Sequence, residues 1–245
     1  MITCAVLLII FTATLIRSAF GFGEALLAVP LLAFFMPLHT AAPLAVLVSI
    51  TIATIVVVQD WRKIHFYSAA WLVLPTLFGI PLGLILLTST HQRLAKAALA
   101  LLIIAFAAYS LSGRNAFELR RDHRAWLLFF GFLAGVFGGA YGMNGPPLAI
   151  YGSMRRWSAQ HLRATLQAYF LPASLLGMTG YKLSGLWTRT VTHDYLLALP
   201  VLLPAVLLGR VINHRLHPQA FMKFVYLGLA AIGAVLLAQA IAGRV

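Results

Sequence analysis

The chain has 245 residues, of which 62% are hydrophobic and only 9% are charged, so an ordinary soluble domain is excluded. The formal net charge is +13, but the basic residues lie mostly in short segments between apolar runs. There they orient helices and meet anionic lipid headgroups, so we expect no nucleic-acid partner. The single cysteine, Cys4, excludes an internal disulfide and dithiol chemistry, and we expect no metal ion and no cofactor.

Eight apolar runs, mostly free of charge, follow one another along the chain. Several reach the roughly 18–20 residues that a membrane-spanning helix needs. No basic residue precedes the first run, so we expect it to stay in the fold and not to be cleaved as a secretory signal. The sequence therefore predicts one all-α polytopic domain over residues 1–245, with the lipid bilayer around it. The runs are 2–16, 41–58, 66–89, 94–111, 126–142, 162–180, 195–209 and 220–242.

The first membrane element is interrupted near Gly21 and Gly23, and the interruption carries Glu24. Glu24 is the only acidic residue within an apolar segment, and a carboxylate at membrane depth usually marks a substrate or proton path. Glu24 is therefore a candidate proton-coupling residue. The alternative is a structural ion pair with Arg17, seven residues earlier, which a continuous helix would place on the same face.

The most polar stretch, residues 112–124, divides the chain into two halves of similar pattern, 1–111 and 125–245. A second interrupted segment opens the second half, and Gly21 and Gly142 correspond at an offset of 121 residues, close to half the chain. The pattern predicts about eight membrane elements in two four-element repeats. Each repeat opens with a broken or re-entrant helix.

The second interruption contains Pro146 and Pro147, which remove two backbone donors and prevent an uninterrupted helix. Irregular backbone at membrane depth is tolerated only where it is buried in protein or lines a watery cavity, so such breaks point to transporter binding sites. The alternative for this break is a simple kink, and close helix packing is the better explanation for Gly131 and Gly135. The predicted binding residues of the two breaks are Gly21, Gly23, Gly142, Asn144, Gly145 and Pro146.

Two further candidates, Arg163 and Gln167, open the apolar run after the second break. They are four residues apart, so they share one helical face, and an arginine is a good partner for an oxyanion. The alternatives are a positive-inside anchor for Arg163 and a hydrogen bond from Gln167 to a neighbouring helix.

The distribution of lysine and arginine distinguishes two arrangements of the broken units. If each unit crosses the membrane once, the basic residues outside the first unit divide 9 to 8 between the two sides. If each unit enters and leaves on the same side, they divide 12 to 5, which is a positive-inside bias with both termini outside. We prefer the second arrangement, which has an odd number of full spans per half and therefore inverted repeats.

No reactive constellation of an enzyme is visible in the sequence. The eight histidines form no zinc-enzyme motif, and neither a Gly-x-Ser-x-Gly elbow nor a phosphate-binding loop is present. We therefore expect a protein that is not an enzyme. A passive anion channel stays open as an alternative, and a membrane-embedded enzyme as a less favoured one.

Two motifs resemble the sulfite exporter TauE/SafE family of membrane permeases, and the resemblance covers nearly the whole chain. The first is Gly21-Phe-Gly-Glu-Ala-Leu-Leu-Ala-Val-Pro30, where many members have three successive glycines in place of Gly23 and Glu24. The second is Gly138-Gly-Ala-Tyr-Gly-Met-Asn-Gly-Pro-Pro-Leu-Ala-Ile-Tyr151, followed by Arg163-Ala-Thr-Leu-Gln167. The resemblance implies a secondary transporter of sulfite, sulfonates or related small sulfur oxyanions in the bacterial inner membrane, with protons as the expected coupling ion.

The expected mechanism places the two breaks together, so that the N-termini of half-helices offer N–H groups and partial positive charge to an oxyanion. Asn144 and Gln167 would donate hydrogen bonds, and Arg163 would add charge at the entrance. Glu24 would admit the anion when protonated and repel it when ionised.

Overall fold

A computed structural model describes residues 2–60, 66–88, 92–112, 124–157, 159–213 and 218–242. In this part of the chain all regular structure is α-helical, with ten helices and no strand. The helices are α1 (Ile2–Phe20), α2 (Glu24–Leu32), α3 (Leu38–Asp60), α4 (Phe66–Thr88), α5 (Gln92–Leu111), α6 (Arg124–Tyr141), α7 (Gly145–Met154), α8 (Ala159–Leu183), α9 (Arg189–Asn213) and α10 (Pro218–Ile241).

Six of the described helices, α1, α3, α4, α5, α6 and α9, are long and apolar enough to cross a membrane. The predicted all-α class is therefore confirmed for the described residues, and the six long apolar helices agree with a polytopic membrane protein. The structure has ten helices where about eight elements were expected, because each broken unit consists of two separate helices. At 1.5 Å per residue, α1 and α6 are roughly as long as the hydrocarbon core is thick, whereas α2 and α7 cover about half of it.

Helices α4 and α6 form the most extensive helix pair, and glycines line their contact. A Cβ atom at Gly135 would lie 2.4 Å from the carbonyl oxygen of Thr76, and one at Gly83 would lie 2.1 Å from the carbonyl oxygen of Val136. Only glycine permits backbones to approach so closely, as in small-residue interfaces of membrane helices. The packing explanation given above for Gly135 is therefore confirmed.

The second broken unit reverses direction at its break. In α6, Gly131 lies at Leu72 of α4 and Gly139 lies at Ile80, so these two helices run in the same direction. The rings of Phe130, early in α6, and Tyr151, late in α7, are 5.6 Å apart between centroids. Helix α7 therefore returns along α6, and the two form a hairpin.

The halves pack chiefly against each other. Helix α1 lies against α9, α4 against α6, α5 against α10, and α3 against α8. If α1 to α5 are exchanged in order with α6 to α10, so that α1 corresponds to α6, α3 to α8, α4 to α9 and α5 to α10, the α1–α9 pair becomes the α6–α4 pair. The α5–α10 and α3–α8 pairs become themselves. The predicted linker lies almost wholly outside the described residues, which end at Ser112 and resume at Arg124.

Candidate functional site

The two breaks are three-residue segments with glycines in left-handed backbone conformations. Between α1 and α2, Gly23 has φ of 101°, and between α6 and α7, Gly142 has φ of 68°. Residues with a side chain rarely adopt such angles, so these glycines allow the chain to turn sharply inside the bundle. At Gly142 a Cβ atom would also lie 2.9 Å from Val46 of α3.

Both breaks line one cavity, which we call the central cavity. Its free volume is about 20 Å³, enough for about one water molecule. Helices α3 and α8 complete its wall with Ser49, Phe170 and Ser174. The structure therefore brings the two breaks together, and very little free space lies between them.

A buried ion pair forms one wall of the central cavity. The Nη1 atom of Arg17 donates to Oε2 of Glu24 and also to Oγ of Ser49. The guanidinium carbon of Arg17 lies 4.9 Å from the ring centroid of Phe170, in a cation–π contact. Arg17 and Glu24 are each 2% exposed, so the charges interact in a low dielectric.

This pair matches the alternative considered for Glu24, but it arises differently. A continuous helix would have placed both residues on one face, whereas α1 ends at Phe20 and Glu24 is the first residue of α2. The carboxylate therefore belongs to the N-terminus of the short helix, where the helix dipole favours negative charge.

Several buried polar atoms of the pair itself have no hydrogen-bond partner among the described residues. They include Nε and Nη2 of Arg17 and Oε1 of Glu24, all on residues that line the central cavity. A guanidinium carries five N–H donors and can hold a carboxylate or another oxyanion with two parallel bonds. Unsatisfied donors of a buried cation are costly, so the cavity suits an anion or water that completes them.

The predicted site residues fall into three groups. One group lines the central cavity, a second braces a break without lining it, and for the last residue the backbone alone is described. The cavity-lining group is Gly23, Glu24, Gly142, Asn144, Gly145 and Pro146. Gly21 and Gln167 form the second group, since Nε2 of Gln167 donates to the Gly21 carbonyl oxygen at 3.2 Å. Arg163 is in α8, and its side chain lies outside the described part of the structure.

Gln167 therefore does what its alternative reading proposed, because it bonds a neighbouring element. Its amide nitrogen holds the first break, and its Oε1 atom has no partner. The remaining oxygen is an acceptor, which an anion would not approach favourably.

Asn144 is held against the hairpin of α6 and α7. A Cβ atom at Gly138 would lie 2.3 Å from Oδ1 of Asn144, so the side chain occupies the space that this glycine leaves open. The side chain also interacts with the hydroxyl of Tyr169, which is 2.7 Å from Oγ1 of Thr76. Asn144 thus links the second break to α8 and α4 while it lines the cavity.

The N-termini of α7 and α2, both at the cavity, differ in the number of free backbone N–H groups that they present to it. In α7 the second and third residues are Pro146 and Pro147, so half of the first four backbone donors are missing. In α2 the first intrahelical bond runs from the Leu27 amide to the Gly23 carbonyl oxygen, and no proline occurs in the first turn. Helix α2 is therefore the better source of N–H groups for an anion.

Sequence reasoning assigned neither Arg17 nor Ser49 to a binding site. A signal for Arg17 existed, because it is the one basic residue between two uncharged arms of the first unit. Phe170 and Ser174 carried none, since an aromatic and a serine within a membrane helix are ordinary packing residues.

Fold and site together define a polytopic α-helical membrane protein whose buried polar groups gather where two broken helices meet. The chain belongs to the sulfite exporter TauE/SafE family, whose model matches residues 6–236, and this confirms the resemblance drawn from the two motifs. It is thus a member of a family of multi-pass membrane transporters. No curated protein and no solved structure matches the chain significantly.

Proposed function

We propose that this protein is a proton-coupled secondary transporter of small sulfur-containing oxyanions, such as sulfite or a sulfonate, in the bacterial inner membrane. The observation that carries the proposal is the half-satisfied guanidinium of Arg17 in the cavity between the two breaks. The family to which the chain belongs supports sulfite as the starting point for the substrate, and the oxyanion chemistry comes from the site.

In this mechanism the Glu24 carboxylate occupies the place of a transported anion on Arg17. Protonation of Glu24 removes its negative charge, weakens the pair and leaves the guanidinium available to a sulfur oxyanion. Loss of the proton restores the carboxylate, which competes with the bound anion for Arg17 and repels it. One proton and one anion therefore load and leave together. The N-terminal turn of α2 and Ser49 supply further hydrogen bonds.

The small volume of the central cavity favours a transporter over a passive channel. About 20 Å³ holds roughly one water molecule, whereas a sulfur oxyanion has at least four heavy atoms. The broken units must therefore move before the anion enters, as alternating access requires. An open channel would provide continuous space at its selectivity site.

We also propose that the two halves are inverted repeats with re-entrant broken units. The return of α7 along α6 supports a unit that enters and leaves on one side. The exchange relation between the α1–α9 and α4–α6 pairs supports duplication. The same arrangement gives the 12-to-5 distribution of basic residues noted above.

The substrate is tested by thermal-shift titration of detergent-purified protein with sulfite, sulfate, thiosulfate, sulfoacetate, taurine and an aromatic sulfonate. A ligand of the folded state raises the melting temperature by mass action. We expect a selective shift with one sulfur oxyanion, which is lost in Arg17→Gln and retained in Thr12→Val. Thr12 is on the exposed face of α1, and its hydroxyl donates to the Leu8 carbonyl oxygen of the same helix, so it is a matched control. Absence of any shift in wild-type protein that melts cooperatively would contradict the sulfur assignment.

A further inference from the structure

A second cavity lies at the other end of α2, and its volume of about 390 Å³ is far larger than that of the central cavity. The turn after α2, the first residues of α3 and the end regions of α4, α5 and α10 surround it. Helix α2 begins at the central cavity with Glu24 and ends at Leu32, next to this one. Its nine residues make the two cavities roughly 13 Å apart along the helix axis.

Lys96 of α5 reaches into the second cavity and is only 8% exposed. Its Nζ atom has one partner in the described structure, Oε1 of Gln239, at 3.5 Å, the outer limit for a hydrogen bond. No carboxylate of the described residues pairs with it, since the ion pairs there involve Arg17 and His193. Neighbouring side chains cover Lys96, but it lines a cavity wide enough for water, so an anion there would replace water around a charge that has no carboxylate partner among the described residues.

The other polar groups of the second cavity also favour an anion. Oε1 of Gln239 accepts from Lys96, so the amide NH₂ of Gln239 remains as a donor. The first two residues of α3, Leu38 and His39, line the cavity, which places the positive end of that helix dipole there. Phe34, Met36 and Leu87 supply apolar surface beside these donors.

We propose that Lys96 is the cation of a second oxyanion site in this cavity, for a sulfonate- or phosphate-like group that carries a short apolar portion. We further assign the site as the vestibule that the transported anion occupies before or after it passes along α2. That assignment rests on the proposed function, whereas the existence of the oxyanion site does not. The same chemistry occurs in an anionic lipid headgroup, so the test includes both sources.

A hydrogen bond connects the wall of the vestibule to the end of α6, beside the second break. The hydroxyl of Tyr141, the last residue of α6, donates to the carbonyl oxygen of Ala95 at 2.9 Å. Ala95 directly precedes Lys96, and Tyr141 directly precedes Gly142. The wall of the vestibule therefore includes the residue that anchors the end of α6, next to the second break.

The test is a thermal-shift titration of delipidated full-length protein with sodium ethanesulfonate and, separately, with short-chain phosphatidylglycerol, using sodium chloride at matched ionic strength as the blank. The variants are Lys96→Met, Lys96→Arg and Arg93→Met. Arg93 is the matched control because it is exposed near the start of the same helix, three residues before Lys96. Arg17→Gln removes the central site and separates the two responses.

We expect Lys96→Met to raise the apparent Kd for at least one probe by about tenfold or more, whereas Lys96→Arg and Arg93→Met stay within about threefold of wild type. The affected response persists in Arg17→Gln, which places it in the second cavity whether or not the protein transports the probe. A response to ethanesulfonate would identify the occupant of the second cavity as a free solute, and a response to phosphatidylglycerol alone would identify it as a lipid headgroup.

The proposal is overturned if Lys96→Met and Arg93→Met change both probe responses equally, or if neither probe stabilises the wild-type protein beyond the blank. Without ligand, we expect Lys96→Met to melt at or above the wild-type temperature, because it removes an incompletely paired charge. A lower melting temperature combined with an unchanged probe response would show that the amine is structural.

Discussion

Replacing Glu24 by glutamine tests the ion pair directly. The substitution keeps the size of the side chain but leaves the Arg17 guanidinium, 2% exposed, without a counterion. Breaking a buried pair by removing one partner costs about 3–5 kcal/mol, because the remaining charge stays desolvated and arginine cannot lose its proton. For a chain of this length that corresponds to a fall in melting temperature of roughly 6–20 °C.

The Arg17→Met/Glu24→Gln double variant should recover most of that loss, because replacing both members of a buried pair is often neutral or stabilising. Scanning fluorimetry in one detergent would compare the wild type, both single variants and the double variant, with Thr12→Val as the exposed control on α1. Sulfur oxyanions should stabilise Glu24→Gln more than wild type, since no carboxylate competes for Arg17. A melting temperature of Glu24→Gln within about 2 °C of wild type, or a double variant as unstable as the single one, would refute this reasoning.

Three further substitutions test the breaks and the helix packing by the same thermal measurement. Gly142→Ala should lower the free energy of unfolding by at least about 1–2 kcal/mol, because its φ of 68° is left-handed and its Cβ atom would lie 2.9 Å from Val46. Gly177→Ala in α8, where a Cβ atom meets nothing within 4 Å, should not be destabilised, and equal effects of the two substitutions would contradict this reasoning. Gly135→Val should force α4 and α6 apart and lower the free energy of unfolding by more than about 3 kcal/mol. A variant as stable as wild type would show that the two helices can repack around a larger side chain. Gln167→Leu removes the donor to the Gly21 carbonyl oxygen and should lower the free energy of unfolding by about 0.5–1.5 kcal/mol. The affinity for anions should stay within about twofold of wild type, and a large loss of affinity would instead make Gln167 a binding residue.

The breaks could be predicted from sequence because their causes are local. Two successive prolines at Pro146 and Pro147 cannot continue a helix, and Gly23 and Gly142 supply the left-handed backbone angles of the turns. The matching offset suggested that the two breaks belong together, and they line one cavity. The family was recognised from the same motifs.

The position of Arg17 in the wall of the central cavity could not be predicted from the sequence in the same way. An arginine within a first apolar arm is compatible with an anchor, a structural pair or a site, and only the fold brings Ser49 and Phe170 to its guanidinium. The helical face shared by Arg163 and Gln167 was visible in the spacing, but spacing does not show what lies opposite. For Gln167 the neighbour is the Gly21 carbonyl group, beside the cavity and not within it.

Lys96 illustrates a further limit of reading charge from sequence. It lies near the start of an apolar run, where a lysine is usually a loop or headgroup residue. Its burial depends on the turn after α2 and on Gln239 near the end of α10, which are distant in sequence.

The most direct test of the central claim is the flux of the best-bound radiolabelled anion into proteoliposomes, measured both as counterflow without a proton gradient and as uptake driven by an imposed one. In wild type we expect both, with the driven uptake accumulating anion above its external concentration. In Glu24→Gln we expect counterflow to continue while the imposed proton gradient no longer drives accumulation, because Arg17 still binds the anion but its competitor no longer takes up a proton. Full proton-driven accumulation by Glu24→Gln would contradict the account.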